Sequence, residues 1–97
     1  MNEPEINIPK RGISILKFQS PTCAPCRALS AVLDEVDEII DAVLIPIDVF
    51  TEDGGIIANK YEVRNLPTLI FFKDGEIRER KSGVISKDDI LIILGAL

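Results

Sequence analysis

The chemistry in this sequence is concentrated at Cys23-Ala24-Pro25-Cys26, two thiols separated by two residues in a chain with no other cysteine and no histidine. The pair sits where a β-rich stretch ends and a helical pattern begins. There, free backbone N–H groups and the positive end of the helix dipole stabilise a thiolate over a thiol. Pro25 suits a first helical turn, where its missing N–H would have no helical partner. Thiols at this spacing can attack a disulfide, form a mixed disulfide and resolve it internally. Cys23, nearer the exposed turn, is the expected nucleophile, and Cys26, one turn inside, the expected resolving thiol.

Other readings of the pair fare worse. A zinc site needs four ligands, and two cysteines without histidine supply half of them, so no metal is expected. A purely structural disulfide would close a very small loop and gain little chain entropy. Inert buried thiols do not fit the helix-start placement. The strand-to-helix context favours redox chemistry.

The whole chain of 97 residues is expected to form one domain, 1–97. With 46% hydrophobic residues it can fill a core without a metal or structural disulfide. The net charge of -5, with no Lys/Arg run longer than two, opposes binding to nucleic acid or an acidic membrane and fits a monomeric, soluble surface. The opening Met-Asn-Glu-Pro-Glu leads into no apolar segment of a secretory signal, and Ile90 to Leu94 is too short to span a bilayer. The expected compartment is the cytoplasm, where a lone close cysteine pair is more often catalytic than structural.

Around the thiols, residues 13 to 19 read as a strand, with Leu16 and Phe18 on one face and Ile13, Ile15 and Lys17 on the other. From Ala24, Leu29, Val32, Leu33, Val36, Ile39 and Ile40 recur at helical spacing. Residues 43 to 49 read as a second strand, placed at a sheet edge by Pro46. Residues 55 to 62 read as a short helix. Residues 66 to 72 and 76 to 81 read as a hairpin around Asp74-Gly75. A last helix starts from Ser86 as N-cap, with Ile90, Ile93, Leu94 and Leu97 buried and Ile92 exposed. The order β-α-β-α-β-β-α predicts an α/β fold: a mixed sheet with helices on both faces.

Taken together, several stretches resemble the thioredoxin family. They are Cys-Ala-Pro-Cys-Arg at 23 to 27, Leu-Asp-Glu-Val at 33 to 36, Lys-Tyr-Glu-Val-Arg at 60 to 64, Pro67-Thr68-Leu69, Phe-Lys-Asp-Gly-Glu at 72 to 76, and Gly83. The resemblance runs from Ile13 to the C-terminus, with a few extra residues between Asp48 and Lys60. It implies a thioredoxin fold with a cis bond before Pro67. It also implies a substrate groove walled by Ala24, Pro25, Ile47, Leu66, Pro67, Gly83 and Val84, where an incoming peptide pairs with the Leu66 backbone.

The chain also departs from the family pattern. Thr22 replaces the usual Trp, and Ala31 stands where a helix-kinking proline is common. Lys17 occupies the strand position of a buried Asp beneath the resolving cysteine, and Leu44 that of its partnering lysine. Lys17 is thus a candidate modulator with three readings: a cation favouring the Cys26 thiolate, a neutral amine accepting its proton, or a lysine snorkelling to the rim. Twelve residues precede Ile13, too few for the family's first strand and helix, although Glu5 to Ile8 has room for an edge strand.

The resemblance implies a thiol–disulfide oxidoreductase that reduces protein disulfides without a cofactor and is recharged by a thioredoxin-reductase-like flavoenzyme. A glutathione-linked, glutaredoxin-like reductant is the alternative suggested by the short N-terminus and missing Trp, and opposed by Ala24-Pro25. A binding or scaffold module with incidental redox activity is the other.

Overall fold

The structure is a computed structural model and describes residues 4–97. Seven elements follow in order: β1 (Ile13–Gln19), α1 (Ala24–Asp37), β2 (Ala42–Asp48), α2 (Glu52–Lys60), β3 (Thr68–Lys73), β4 (Glu76–Ser82) and α3 (Lys87–Gly95). The sheet order is β2-β1-β3-β4, with β1 and β2 parallel and the other two pairings antiparallel. This is the expected α/β fold.

Strand alternation divides the core between the two faces of the sheet. Ile15, Leu69 and Phe71 pack with Leu29, Leu33 and Val36 of α1 and Ile90 and Leu94 of α3. Leu16, Phe18, Ile70 and Phe72 face the other way, onto Ile57 and Ala58 of α2. Each large side chain buried in these layers contributes roughly 1.5–3 kcal/mol, which clamps β1 between its helices. A short turn after the end of β1 starts α1, so the first turn of the helix sits at the end of this clamped strand. Ile92 is 69% exposed, as the α3 stripe implied.

Three expectations need correction. The first concerns α2, which starts at Glu52 and not near residue 55. Thr51 is its N-cap, its hydroxyl accepting from Gly54 N–H at 2.9 Å, and Glu52 and Asp53 complement the helix dipole. Gly54-Gly55 masked that start, but a glycine is required here. A Cβ on Gly54 would lie 1.8 Å from the Asp48 carbonyl oxygen.

Second, α1 ends at Asp37, and Ile39 lies outside it, 56% exposed. The N–H groups of Ile39 and Ile40 both turn back to the Val36 carbonyl, and only Ile40 packs against the core.

Third, Glu5–Ile8 forms no strand. Gly12 is tied to the β3–β4 turn: its N–H donates to the Asp74 carboxylate at 2.8 Å, and its carbonyl accepts from Asp74 N–H at 2.9 Å. From there the segment crosses the α2 side, where Ile6 and Ile8 pack on that core layer and Pro4, Glu5 and Ile6 lie by Ile57, Lys60 and Tyr61. A path over the face in place of a strand along the edge leaves β2 at the margin of the sheet, as Pro46 required.

Replacing Gly54 by Ala is expected to destabilise the protein by about 3 kcal/mol in urea unfolding, because the opposing atom is backbone. Gly95→Ala, where a Cβ meets nothing within 4 Å, is expected to be neutral or to stabilise by about 0.5 kcal/mol.

Candidate active site

β1 ends at Gln19, and three turn residues carry the chain to Cys23, the N-cap of α1. Extended backbone at Cys23 (φ -94°, ψ 100°) turns its side chain over the helix end, where Sγ accepts from the Cys26 N–H at 3.1 Å. Sulfur thereby occupies the capping position that an oxygen usually holds. The first turn of α1 carries no acidic residue, so nothing there opposes a thiolate.

Cys23 and Cys26 are joined as a disulfide, their Cα atoms 5.2 Å apart. Their exposures differ: Cys23 is half-buried and Cys26 only 2% exposed. Of the two sulfur-bearing residues, Cys23 is therefore the one open to solvent. Cys26 reaches that sulfur from inside the helix.

The register brings a second segment to the same end of the sheet. Thr68 pairs with Phe18, which places Pro67 level with the end of β1. The Leu66–Pro67 bond is cis, Pro67 is buried and Leu66 half-buried. The Gly83 N–H donates to the Pro67 carbonyl at 2.8 Å, which sets Gly83 (φ +84°, a conformation natural to glycine) and exposed Val84 beside it. Ala24 and Pro25 are exposed on the first turn of α1. Ile47 is the exception among the expected groove residues. It lies at this end, opposite Phe18, but its side chain is buried in the α2-side core and presents no wall.

Lys17 is 2% exposed, so it does not snorkel to the rim. Its side chain lies on the face covered by α1, where the ammonium donates to the Gln19 side-chain oxygen and to the Ser30 hydroxyl. Ser30 in turn donates to the Cys26 carbonyl at 3.0 Å. Desolvation by burial pushes the Lys17 amine below its ordinary pKa, and the Asp34 carboxylate pulls partly the other way. Leu44 is partly exposed on β2 and brings no second cation.

Ser30, Gln19, Asp34 and Arg80 were not singled out by sequence reasoning. The first three are ordinary helix and strand residues until β1 is laid against α1, although Cys26, Ser30 and Asp34 recur at the i, i+4 spacing of one face. Arg80, on β4, donates to the Tyr61 and Glu62 carbonyls, the latter at 2.7 Å. It thus closes the C-terminal end of α2 at the head of the loop to Pro67.

A family model described as Thioredoxin matches residues 3–95. The chain is 34% identical over 76 residues to a thioredoxin of Pyropia yezoensis, covering 78% of this chain and 71% of that one. It is 31% identical over 77 residues to the chloroplastic thioredoxin Y2 of Arabidopsis thaliana, covering 79% of this chain but 46% of the relative, so it spans about half of that longer protein. Among solved structures, a mutant thioredoxin from Halobacterium salinarum superposes with a TM-score of 0.80 at 30% identity, over 89% of this chain and 74% of the other.

Two outcomes follow from the site's electrostatics. In the reduced protein, Cys23 is expected to be alkylated selectively over buried Cys26 at pH 7, read by mass spectrometry of the labelled peptides. In the oxidised protein, where the cysteines do not titrate, the depressed Lys17 pKa means that the unfolded chain binds the extra proton. Its contribution to stability then rises with pH from that lowered value up to 10.5. Any stability advantage of Lys17→Met over the parent, measured by urea unfolding, is accordingly expected to shrink as pH rises through that window.

Proposed function

The chain belongs to the thioredoxin family of protein thiol–disulfide oxidoreductases, and from that premise we propose that it reduces protein disulfides through a reversible Cys23–Cys26 couple. The observation that carries this reading is the pair itself: one reachable sulfur capped by an amide at a helix start, with a buried thiol able to bond to it.

The exchange runs in two balanced steps. The Cys23 thiolate attacks a target disulfide R–S–S–R′. A Cys23–S–R bond forms, the S–S bond of the target breaks, and R′–S⁻ leaves and takes up a proton. Cys26 then gives up its proton to solvent and attacks the Cys23 sulfur, forming the Cys23–Cys26 disulfide while R–S⁻ leaves and is protonated. Two electrons have passed to the target, and two must be returned to restore the dithiol.

In the proposed first step the target strand lies along Leu66, beside exposed Ala24, Pro25 and Val84, with buried Pro67 and half-buried Gly83 shaping the floor. A thioredoxin-reductase-like flavoenzyme is the proposed donor of the returning electrons, and the exchange itself calls on no cofactor bound to this chain. The protein is taken to act as a monomer in the cytoplasm, although its relatives include a chloroplastic one. Among the described residues, no helix is long and apolar enough to cross a membrane. The glutathione-linked alternative rests on the short N-terminus and the absent Trp, and Ala24-Pro25 between the cysteines argues against it.

Cys26→Ser is expected to hold a target protein in a stable mixed disulfide with Cys23, visible on non-reducing gels and released by dithiothreitol. Cys23→Ser is expected to trap none. If neither variant traps a target while a partner copurifies equally with both cysteines replaced, the chain is a binding module and the proposal fails.

A further inference from the structure

An ammonium-bearing side chain in a protein core normally has a carboxylate hydrogen-bonded to it, because burying a charge costs several kcal/mol unless it is compensated. Lys17 departs from that rule. Its two hydrogen-bond partners, Gln19 and Ser30, are both neutral. A methionine or leucine would fill the same space between the core layers at no such cost. What Lys17 does have is a link to the active site: Ser30 stands one turn beyond Cys26 on α1 and joins the lysine to the Cys26 carbonyl.

The surroundings decide where the field of that charge falls. In the sheet, Lys17 lies between Pro46 of β2 and Leu69 of β3, neither of which carries charge. From α3, this face receives Ile90 and Leu94. From α1 it receives Cys26, Leu29, Ser30 and Leu33, with Asp34 the carboxylate that acts on the lysine. Asp34 is exposed and therefore screened by water, whereas Cys26 is as buried as the lysine. Burial alone would hold Cys26 as a neutral thiol and slow its attack.

Building on the proposed exchange, we propose that Lys17 is a positioning residue for its second step: its ammonium, coupled through Ser30 to the Cys26 turn, favours the Cys26 thiolate. The lysine forms no bond to sulfur and takes no proton from it. It offsets the desolvation that would keep Cys26 protonated, at the moment Cys26 must attack the Cys23–S–R bond.

The gain in rate is smaller than the gain in thiolate, because nucleophilicity falls as pKa falls. With a Brønsted coefficient near 0.5, a tenfold rise in thiolate gives about a threefold rise in rate. Natural selection for that threefold would explain why a costly residue occupies a site that an apolar one could fill.

The test titrates Cys26 in a Cys23→Ser background by thiolate ultraviolet absorbance, with and without Lys17→Met and, separately, Lys17→Gln. Circular dichroism checks that each variant is folded, and the Gln variant serves if Met perturbs packing. Both replacements are expected to raise the Cys26 pKa by about one unit, a tenfold loss of thiolate at pH 7. Ser30→Ala is expected to raise it by less. In the intact pair, Lys17→Met is expected to release a preformed mixed disulfide about threefold more slowly. A folded variant whose Cys26 pKa is unchanged or lower overturns the proposal. So does slower release with the Cys26 pKa unmoved, which would make Lys17 a proton acceptor instead. The titration reads Lys17 even if no protein disulfide is ever reduced, so its outcome is separate from that of the proposed function.

Discussion

Everything in this structure converges on the free amide end of α1. A helix leaves its first N–H groups without carbonyl partners, and something must occupy them. Here the occupant is the sulfur of Cys23, which accepts from the Cys26 N–H, so the cap of the helix and the proposed nucleophile are the same group. The rest of the fold holds that end in place. β1 is buried on both faces, α1 continues from it after a three-residue turn, and β3 brings Pro67 to the same margin.

That arrangement separates two cysteines of identical chemistry by burial. Cys23 stands at the surface where a target can arrive, and Cys26 is enclosed by the helix and the sheet. Enclosure protects the resolving thiol from side reactions but disfavours its thiolate. The lysine beneath the helix bears directly on this conflict.

The site was readable in the sequence where its signal was local. Two thiols separated by two residues at a strand-to-helix junction announce their own chemistry, and Asp74-Gly75 announces a hairpin. The residues that tune or frame the site were silent because only tertiary packing gives them meaning. Ser30 is an unremarked helix residue until β1 sets Lys17 beneath it, and Arg80 is one of several charges on an exposed strand until it reaches back to α2. Gly54-Gly55 hid the start of α2, since a helix propensity cannot show that the Asp48 carbonyl leaves no room for a Cβ. The N-terminal segment misled for a related reason. Ile6 and Ile8 alternate as a strand would, but the alternation serves packing over the face of the sheet and not pairing at its edge.

The most direct test of the central claim is the reduction potential of the Cys23–Cys26 couple, measured by equilibration in defined dithiol/disulfide buffers with alkylation as the readout. A working exchange couple whose dithiol form is helped by Lys17 should cycle reversibly at a potential between about -270 and -200 mV, the span from thioredoxin to glutaredoxins. A pair that cannot be cycled, or that resists reduction until below about -300 mV as structural disulfides do, would contradict it.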